Sequence, residues 1–530
     1  MDGWKRAVLC VMAAILAFIA VYSRANAQAQ AQAPDKDKDA KASEKPADQA
    51  ATAPKEESSV TEHSIKIGGQ TIPYKATAQT ILLKNEKDEP TALLYSTAYT
   101  RSDVKDLSQR PIAFVYNGGP GSASVWLHMG AFSPKRVVTV NADSTPPAPY
   151  KLVDNANCLL DKTDLVFIDP VGTGFSHAVG KAQDKDFWGV DQDVKSLAQF
   201  INTYVSRNNR WNSPKFLIGE SYGTFRSAAL SNYLQSHDGL YINGIVLISS
   251  VLDLGEISFS PGEDMPYVFY LPSYAASAWY HKVLKDRPDN LNAFLDEARH
   301  FAQTVYLQAL VKGSRLGESE KGEVAKQMSR YTGLSEDYLV KANLRVNLPQ
   351  FMQELQRSRG LTTGRLDSRY TGVSYDLLGE YAEYDPQDVA TNGPFTAAFN
   401  TYVREELKFG QDKVYHTSAE DAAGNSWDWK HQGGNNFGFP GSPNVEGDLI
   451  QAMLANPHLQ IEVENGLYDL ATPFYGTEYT MEHLGLPDKL QKNIHLQYYD
   501  AGHMMYLHEE DLVKLKTNIA NFIEASSGSK

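Results

Sequence analysis

Six short apolar runs constrain this chain more than any other feature: PIAFVYN (111–117), DLVFIDP (164–170), KFLIG (215–219), GIVLISS (244–250), LQIEVEN (459–465) and NIHLQYY (493–499). A run that is apolar at consecutive positions must be covered on both faces. Amphipathic stretches separate these runs, the pattern of a mostly parallel sheet with helices on each side. The apolar stretch of each run except GIVLISS gives way to a Gly, Asp or Asn, and ligands of such sheets bind at the carboxyl ends of the strands. Those following residues are therefore where chemistry is expected. Upstream, HSIKIGG (63–69), QTIPYKATAQTILLK (70–84) and ALLYSTAY (92–99) read as short β-type runs bounded by turns.

The strand rhythm stops between Gly255 and Val445, where helical spacing takes over. Leu291, Phe294, Leu295, Ala298, Phe301, Ala302 and Val305 recur at three and four, and Pro394 reads as the start of another helix carrying Phe395, Phe399 and Val403. The expected organisation is an α/β core in two parts, 60–254 and 446–530, with a mainly helical cap inserted at 255–445. Within the cap, WDWKH (427–431) is an aromatic stretch read as packing in preference to a substrate wall.

The N-terminal residues 1–27 read as an export signal: Lys5 and Arg6, an apolar run from Ala7 to Tyr22, and Ala25-Asn26-Ala27 as a cleavage site. An uncleaved anchor is the alternative. Residues 28–59 hold almost nothing large and apolar, the composition of a disordered linker. The protein is thus expected to be periplasmic or secreted, with no stable membrane association after cleavage. A net charge of -14 offers no basic footprint for nucleic acid. The two cysteines are Cys10, in the signal, and Cys158, so the mature chain has no intramolecular disulfide. No His/Cys cluster has metal-ligand spacing, and no metal or cofactor is expected.

GESYG (219–223) lies between an apolar run and a helical stretch, as the sharp strand-to-helix turn of a nucleophile elbow requires; this nominates Ser221. A serine nucleophile needs a base and an orienting acid, which in this sheet order come later, acid first. His503 follows the last strand candidate in a Gly-His context. Asp469 follows the preceding strand in IEVENGLYD, with Asp500 as its competitor. An oxyanion needs two N–H donors: one from Tyr222, the other from the glycine-rich loop NGGPGS (117–122).

Together NGGPGSAS, DPVGTGFS, GESYG, the Asp469 loop and AGHM resemble the serine carboxypeptidase family, the relatives of carboxypeptidase Y, in the α/β-hydrolase superfamily. The resemblance implies a peptidase acting on peptides with a free C-terminus, with Ser221, Asp469 and His503 catalytic and Gly119 and Tyr222 forming the oxyanion hole. It further implies that Asn117, Gly118 and Glu220 hold the substrate carboxylate. Two adjacent carboxylates cannot both ionise cheaply, so Glu220 and the substrate terminus would share a proton, favouring binding at acidic pH. Two departures stand out. Ser122 replaces a disulfide-bonded cysteine, and Ala131 aligns with the family's second carboxylate-binding glutamate. The alternatives are an esterase or acyltransferase on the same scaffold, or a non-catalytic binding protein that retains the fold.

Overall fold

The computed structural model describes residues 54–419, 422, 426–432 and 442–528. The expected export signal and residues 28–53 of the expected linker lie outside the described residues.

Nine strands form the path of one sheet: β1 (Ser58–Ile67), β2 (Gln70–Lys84), β3 (Pro90–Arg101), β4 (Ile112–Tyr116), β5 (Asp164–Ile168), β6 (Lys215–Glu220), β7 (Gly244–Ile248), β8 (Gln460–Gly466) and β9 (Ile494–Tyr499). Their spatial order is β1-β2-β3-β5-β4-β6-β7-β8-β9. The ribbon β1-β2-β3 is antiparallel and joins β5 antiparallel. From β5 to β9 every neighbouring pair is parallel. The apolar runs thus form the doubly covered, mostly parallel sheet their composition demands.

β1 starts at Ser58, inside the stretch expected to be linker, because Ser58 pairs with Gln79 of β2. Just ahead of it, Glu56 accepts from the Leu82 N–H (2.7 Å) and from Arg207 (2.8 Å).

Alternation within β4 divides the two layers. Ala113 and Val115 face one core, shared with helix Glu509–Ser526; Ile112, Phe114 and Tyr116 face the other, shared with α1 (Val190–Arg207) and α2 (Tyr222–Asp238). A third apolar cluster lies under the cap. It joins helices Met265–Tyr280, Leu291–Phe301 and Glu318–Thr332 to Leu467, Tyr468 and Leu470, the loop after β8. Pro394, expected to open a helix, sits inside α3 (Pro386–Glu405), which starts earlier because Asp385 Oδ1 caps the N–H of Gln387 (3.0 Å). Phe395, Phe399 and Tyr402 of α3 pack in the first core, with the sheet. No helix among the described residues is long and apolar enough to cross a membrane.

WDWKH packs behind α2. Trp427 is buried and meets the Tyr222 ring edge-on at 5.4 Å, and His431 bridges Asp191 (2.6 Å) and Asp448 (2.8 Å). Burial opposes the charge on His431, but its hydrogen bonds to both carboxylates push its pKa up to about 9.

Beneath the elbow, fully buried Arg226 of α2 donates through Nε to Asp193 of α1 (2.6 Å) and through Nη1 to the Asn117 carbonyl (2.7 Å). Its guanidinium lies 5.2 Å from the Tyr116 ring centroid and 5.3 Å from that of Tyr222. Removing one member of a buried pair leaves an uncompensated charge. Asp193→Ala is expected to cost about 3–5 kcal/mol in urea unfolding, and adding Arg226→Met should recover much of that loss.

Candidate active site

The residues nominated by sequence sit at the carboxyl ends of neighbouring strands: Asn117 after β4, Ser221 after β6, Asp469 after β8 and His503 after β9. Asn117, Gly118, Gly119, Glu220, Ser221 and His503 line one cavity of about 310 Å³. A larger surface concavity of about 690 Å³, lined by Asn243, Gln460 and His495, lies at the amino ends of β7 to β9, the wrong end of the sheet for strand-end chemistry.

Ser221 has φ 59° and ψ −131°, a conformation that non-glycine residues rarely hold and that the elbow requires. Its N–H donates to the Ile248 carbonyl (3.0 Å), tying the turn to the next strand. The flanking glycines are sterically necessary. A Cβ on Gly219 would lie 2.2 Å from the Gly223 carbonyl oxygen, and one on Gly223 would lie 3.0 Å from that of Tyr116.

His503 Nδ1 lies 2.7 Å from Asp469 Oδ2, the geometry of a base held by its acid. Asp469 is fully buried, and its other contacts hold it still: Oδ1 accepts from the N–H groups of Ala471 (2.7 Å) and Thr472 (3.0 Å), and Oδ2 from the Thr472 hydroxyl (2.8 Å). The backbone of His503 is clamped as well. Its N–H donates to the Leu366 carbonyl (2.7 Å), and its carbonyl accepts from the Ser249 hydroxyl (2.7 Å). Asp500, the competing acid, is exposed, and its carbonyl accepts from Arg369 (2.9 Å). Burial disfavours the imidazolium of His503, but the Asp469 charge and hydrogen bond outweigh it and raise its pKa.

The glycine-rich loop meets the elbow with no room to spare: a Cβ on Gly118 would stand 2.4 Å from the Tyr222 nitrogen and 2.7 Å from that of Gly223. This contact brings the Gly118–Gly119 backbone over the start of α2, where Tyr222 supplies its N–H. Gly119 has φ +106°, a value that glycine adopts freely. DPVGTGFS braces the same loop from beside it. Asp169 Oδ1 accepts from the Ser124 N–H (2.8 Å), and Gly174 packs where a Cβ would fall 1.8 Å from Asp169 Oδ2. Ser122 lines the cavity and accepts from the Trp126 indole (3.0 Å).

Glu220 is 4% exposed, and Oε1 accepts from Asn117 Nδ2 (2.8 Å). Asn117 is itself oriented, since its Oδ1 accepts from the Leu127 N–H (3.0 Å). Burial pushes the Glu220 pKa up to about 7, against the opposing charge of His503. The Tyr506 hydroxyl faces this carboxyl. Yet neither Glu220 Oε2 nor that hydroxyl completes a hydrogen bond among the described residues. Ala131 is fully buried in the turn 128–132, its carbonyl accepting from Asn155 (2.7 Å), and is not part of the cavity lining.

Sequence reasoning missed Tyr506, Thr472, Ser249 and the cap segment around Leu366. The signals were faint: Ser249 and Thr472 follow strands, as nominated residues do, whereas Leu366 belongs to a cap run that matched no motif.

The family model described as serine carboxypeptidase matches residues 69–515, and the chain belongs to that family. The chain is 29% identical over 161 residues to the pheromone-processing carboxypeptidase KEX1 of Saccharomyces cerevisiae, covering 29% of this chain and 21% of that protein. It is 26% identical over 178 residues to the retinoid-inducible serine carboxypeptidase of Homo sapiens, covering 32% and 36%. The chain therefore aligns with well under half the length of these curated relatives. The crystal structure of the prohormone-processing carboxypeptidase Kex1Δp from Saccharomyces cerevisiae shares the fold, with a TM-score of 0.53 and 18% identity over 85% of this chain and 91% of that one.

A carboxyl whose folded pKa is raised from 4.5 to about 7 weakens the fold as pH climbs through that interval, because the folded state then holds a proton the unfolded chain releases. Glu220→Gln is therefore expected to raise Tm at pH 8, by an amount corresponding to at most about 3 kcal/mol, and to change it little at pH 4. Thermal melts of the two proteins check this.

Proposed function

We propose that the protein is an exported serine carboxypeptidase, periplasmic or secreted, that releases C-terminal residues from peptides. Ser221 Oγ attacks the carbonyl carbon of the last peptide bond as its proton passes to His503, held by Asp469. The N–H groups of Gly119 and Tyr222 donate hydrogen bonds to the developing oxyanion. The imidazolium then gives its proton to the leaving amine, and the C–N bond breaks. Water, deprotonated by His503, attacks the ester carbonyl; its proton returns to Ser221 Oγ as the acyl bond breaks and the shortened peptide leaves.

One observation carries this reading: next to Ser221 lies the buried Glu220 carboxyl, whose Oε2 makes no well-formed hydrogen bond among the described residues and has the Tyr506 hydroxyl as its near neighbour. Unmatched polar atoms in a buried site are costly unless a ligand completes them. A substrate carboxylate does so when Glu220 carries the proton, with Asn117 and the Gly118 backbone as neutral partners. The required state has Glu220 protonated and His503 neutral. It holds as many protons as Glu220 anion with His503 cation, and a substrate carboxylate draws the proton to the glutamate side. Binding is thus favoured on the acidic side of about pH 7, where Glu220 keeps its proton.

The buried position of Ala131, where the family's second acidic clamp aligns, favours a second reading: an esterase or acyltransferase that discharges the acyl-enzyme without strict selection of a free C-terminus. Rates on simple esters against peptides, with and without an added amine, separate the two.

On one peptide supplied as free acid and as C-terminal amide, mass spectrometry should record stepwise loss from the acid and much slower loss from the amide; equal rates would sink the clamp. Ser221→Ala should lower kcat by about 10⁴-fold or more. For the native protein KM should rise above pH 7, and Glu220→Gln should remove that rise. A native KM that is flat from pH 4.5 to 7.5 would contradict the role given to Glu220.

A further inference from the structure

Residues 364–370 of the cap are laced to the loops that carry His503 and Asp469. The Arg365 carbonyl accepts from Leu470 N–H (3.0 Å), and the Leu366 carbonyl from His503 N–H (2.7 Å). Asp385 Oδ2 accepts from Leu366 N–H (3.0 Å), and Asp367 Oδ2 from Gly502 N–H (3.0 Å). Gly502 packs so closely that a Cβ there would stand 2.4 Å from that of Asp367. Arg369 closes the lacing by gripping Asp367 through Nη2 (2.6 Å). The backbone of Arg365 is thus held by the same bonds that hold the site.

Its side chain behaves differently. Several other arginines of the cap are engaged: Arg345 with Asp264 (2.7 Å), Arg359 with Gln356 (3.1 Å) and Arg369 with Asp367. Arg365 is exposed and lines the cavity with Glu220, Ser221 and His503, and among the described residues its guanidinium has no ion pair. An exposed arginine without a partner is ordinary on an outer surface. Here the chain that bears it is immobilised and the side chain lines the reaction cavity. Asp388 of α3 lines the same cavity; burial and then the charge of Asp385 push its pKa up, Arg365 acts in the opposite direction, and the two form no ion pair. The other titratable groups that face it are Glu220 and His503, which line the same cavity, and Tyr270, on which its charge acts.

A guanidinium with open donors recognises a carboxylate. Under the carboxypeptidase reading, on which this inference rests, the terminal carboxylate is taken by Asn117 and Glu220, which leaves Arg365 for a second anionic group of the substrate. We propose that Arg365 is a specificity residue that selects peptides with an Asp or Glu side chain flanking the scissile bond.

The test uses blocked dipeptides ending in Phe-Glu, Phe-Gln, Glu-Phe and Gln-Phe. kcat/KM is measured at pH 6 for the native protein, Arg365→Gln and Arg365→Lys. Because the guanidinium is solvent-accessible, the native enzyme is expected to prefer Glu over isosteric Gln by about fivefold in one of the two positions. Arg365→Gln should bring that ratio to about one, and Arg365→Lys should keep part of it. A native ratio of one in both positions, or a preference that survives Arg365→Gln, overturns the proposal. So does equal slowing of the Glu and Gln peptides by Arg365→Gln, which would assign Arg365 to the terminal carboxylate. All three outcomes leave the carboxypeptidase reading standing. No release from any peptide, by a protein that a fluorophosphonate still labels at Ser221, removes that reading and this inference with it.

Discussion

The approach of the Gly118 backbone to the nitrogens of Tyr222 and Gly223 is the contact on which the site depends. With a Cβ of any residue at 2.4 Å from the Tyr222 nitrogen, the loop after β4 would be lifted off the elbow. Three further arrangements follow from that contact. Asn117 can reach Glu220, the Gly119 and Tyr222 N–H groups share one neighbourhood, and the Asn117 carbonyl meets the buried Arg226 guanidinium. Arg226 in turn is neutralised by Asp193, so the floor of the site is an ion pair sealed between α1 and α2. Trp427 and the His431 bridge then close the rear of the elbow, which explains why an aromatic stretch far along the chain packs here and does not line the cavity.

Two kinds of electrostatic environment stand side by side. The Asp469 carboxylate is surrounded by donors, whereas Glu220 has one donor and an oxygen with none. Burial with so few donors disfavours the charged form of Glu220 and pushes its pKa up. His503 lies between them and responds to both. The contrast matters for the proposed function, in which Asp469 orients the base and Glu220 meets a second carboxylate.

Legibility varied with the range of the interactions involved. β4 to β9 could be read because their apolar runs need no partner to be recognised, and the elbow because its glycines and serine are contiguous. The start of β1 was obscured: Ser58 and Ser59 are polar and belong to a strand only because β2 pairs with them. Pro394 marked the wrong helix start, since a cap at Asp385 and burial of Phe395 and Phe399 outweigh the one hydrogen bond a proline removes. Tyr506 and Leu366 left no local trace of their roles, and Ser249 only its place after a strand, as each acts on a residue distant in sequence.

By itself the sequence determined the covered parallel sheet, the turn that strains Ser221, the strand ends where chemistry gathers and membership in a family of serine carboxypeptidases, because each is encoded in contiguous residues. Only the tertiary structure decided that Asp469 and not Asp500 meets the imidazole of His503, that Ala131 is core, that Glu220 keeps an unpartnered oxygen and that Arg365 lines the cavity. Those outcomes depend on distances between segments tens to hundreds of residues apart, and on how much water burial excludes around each charge, quantities that no local pattern of side chains carries.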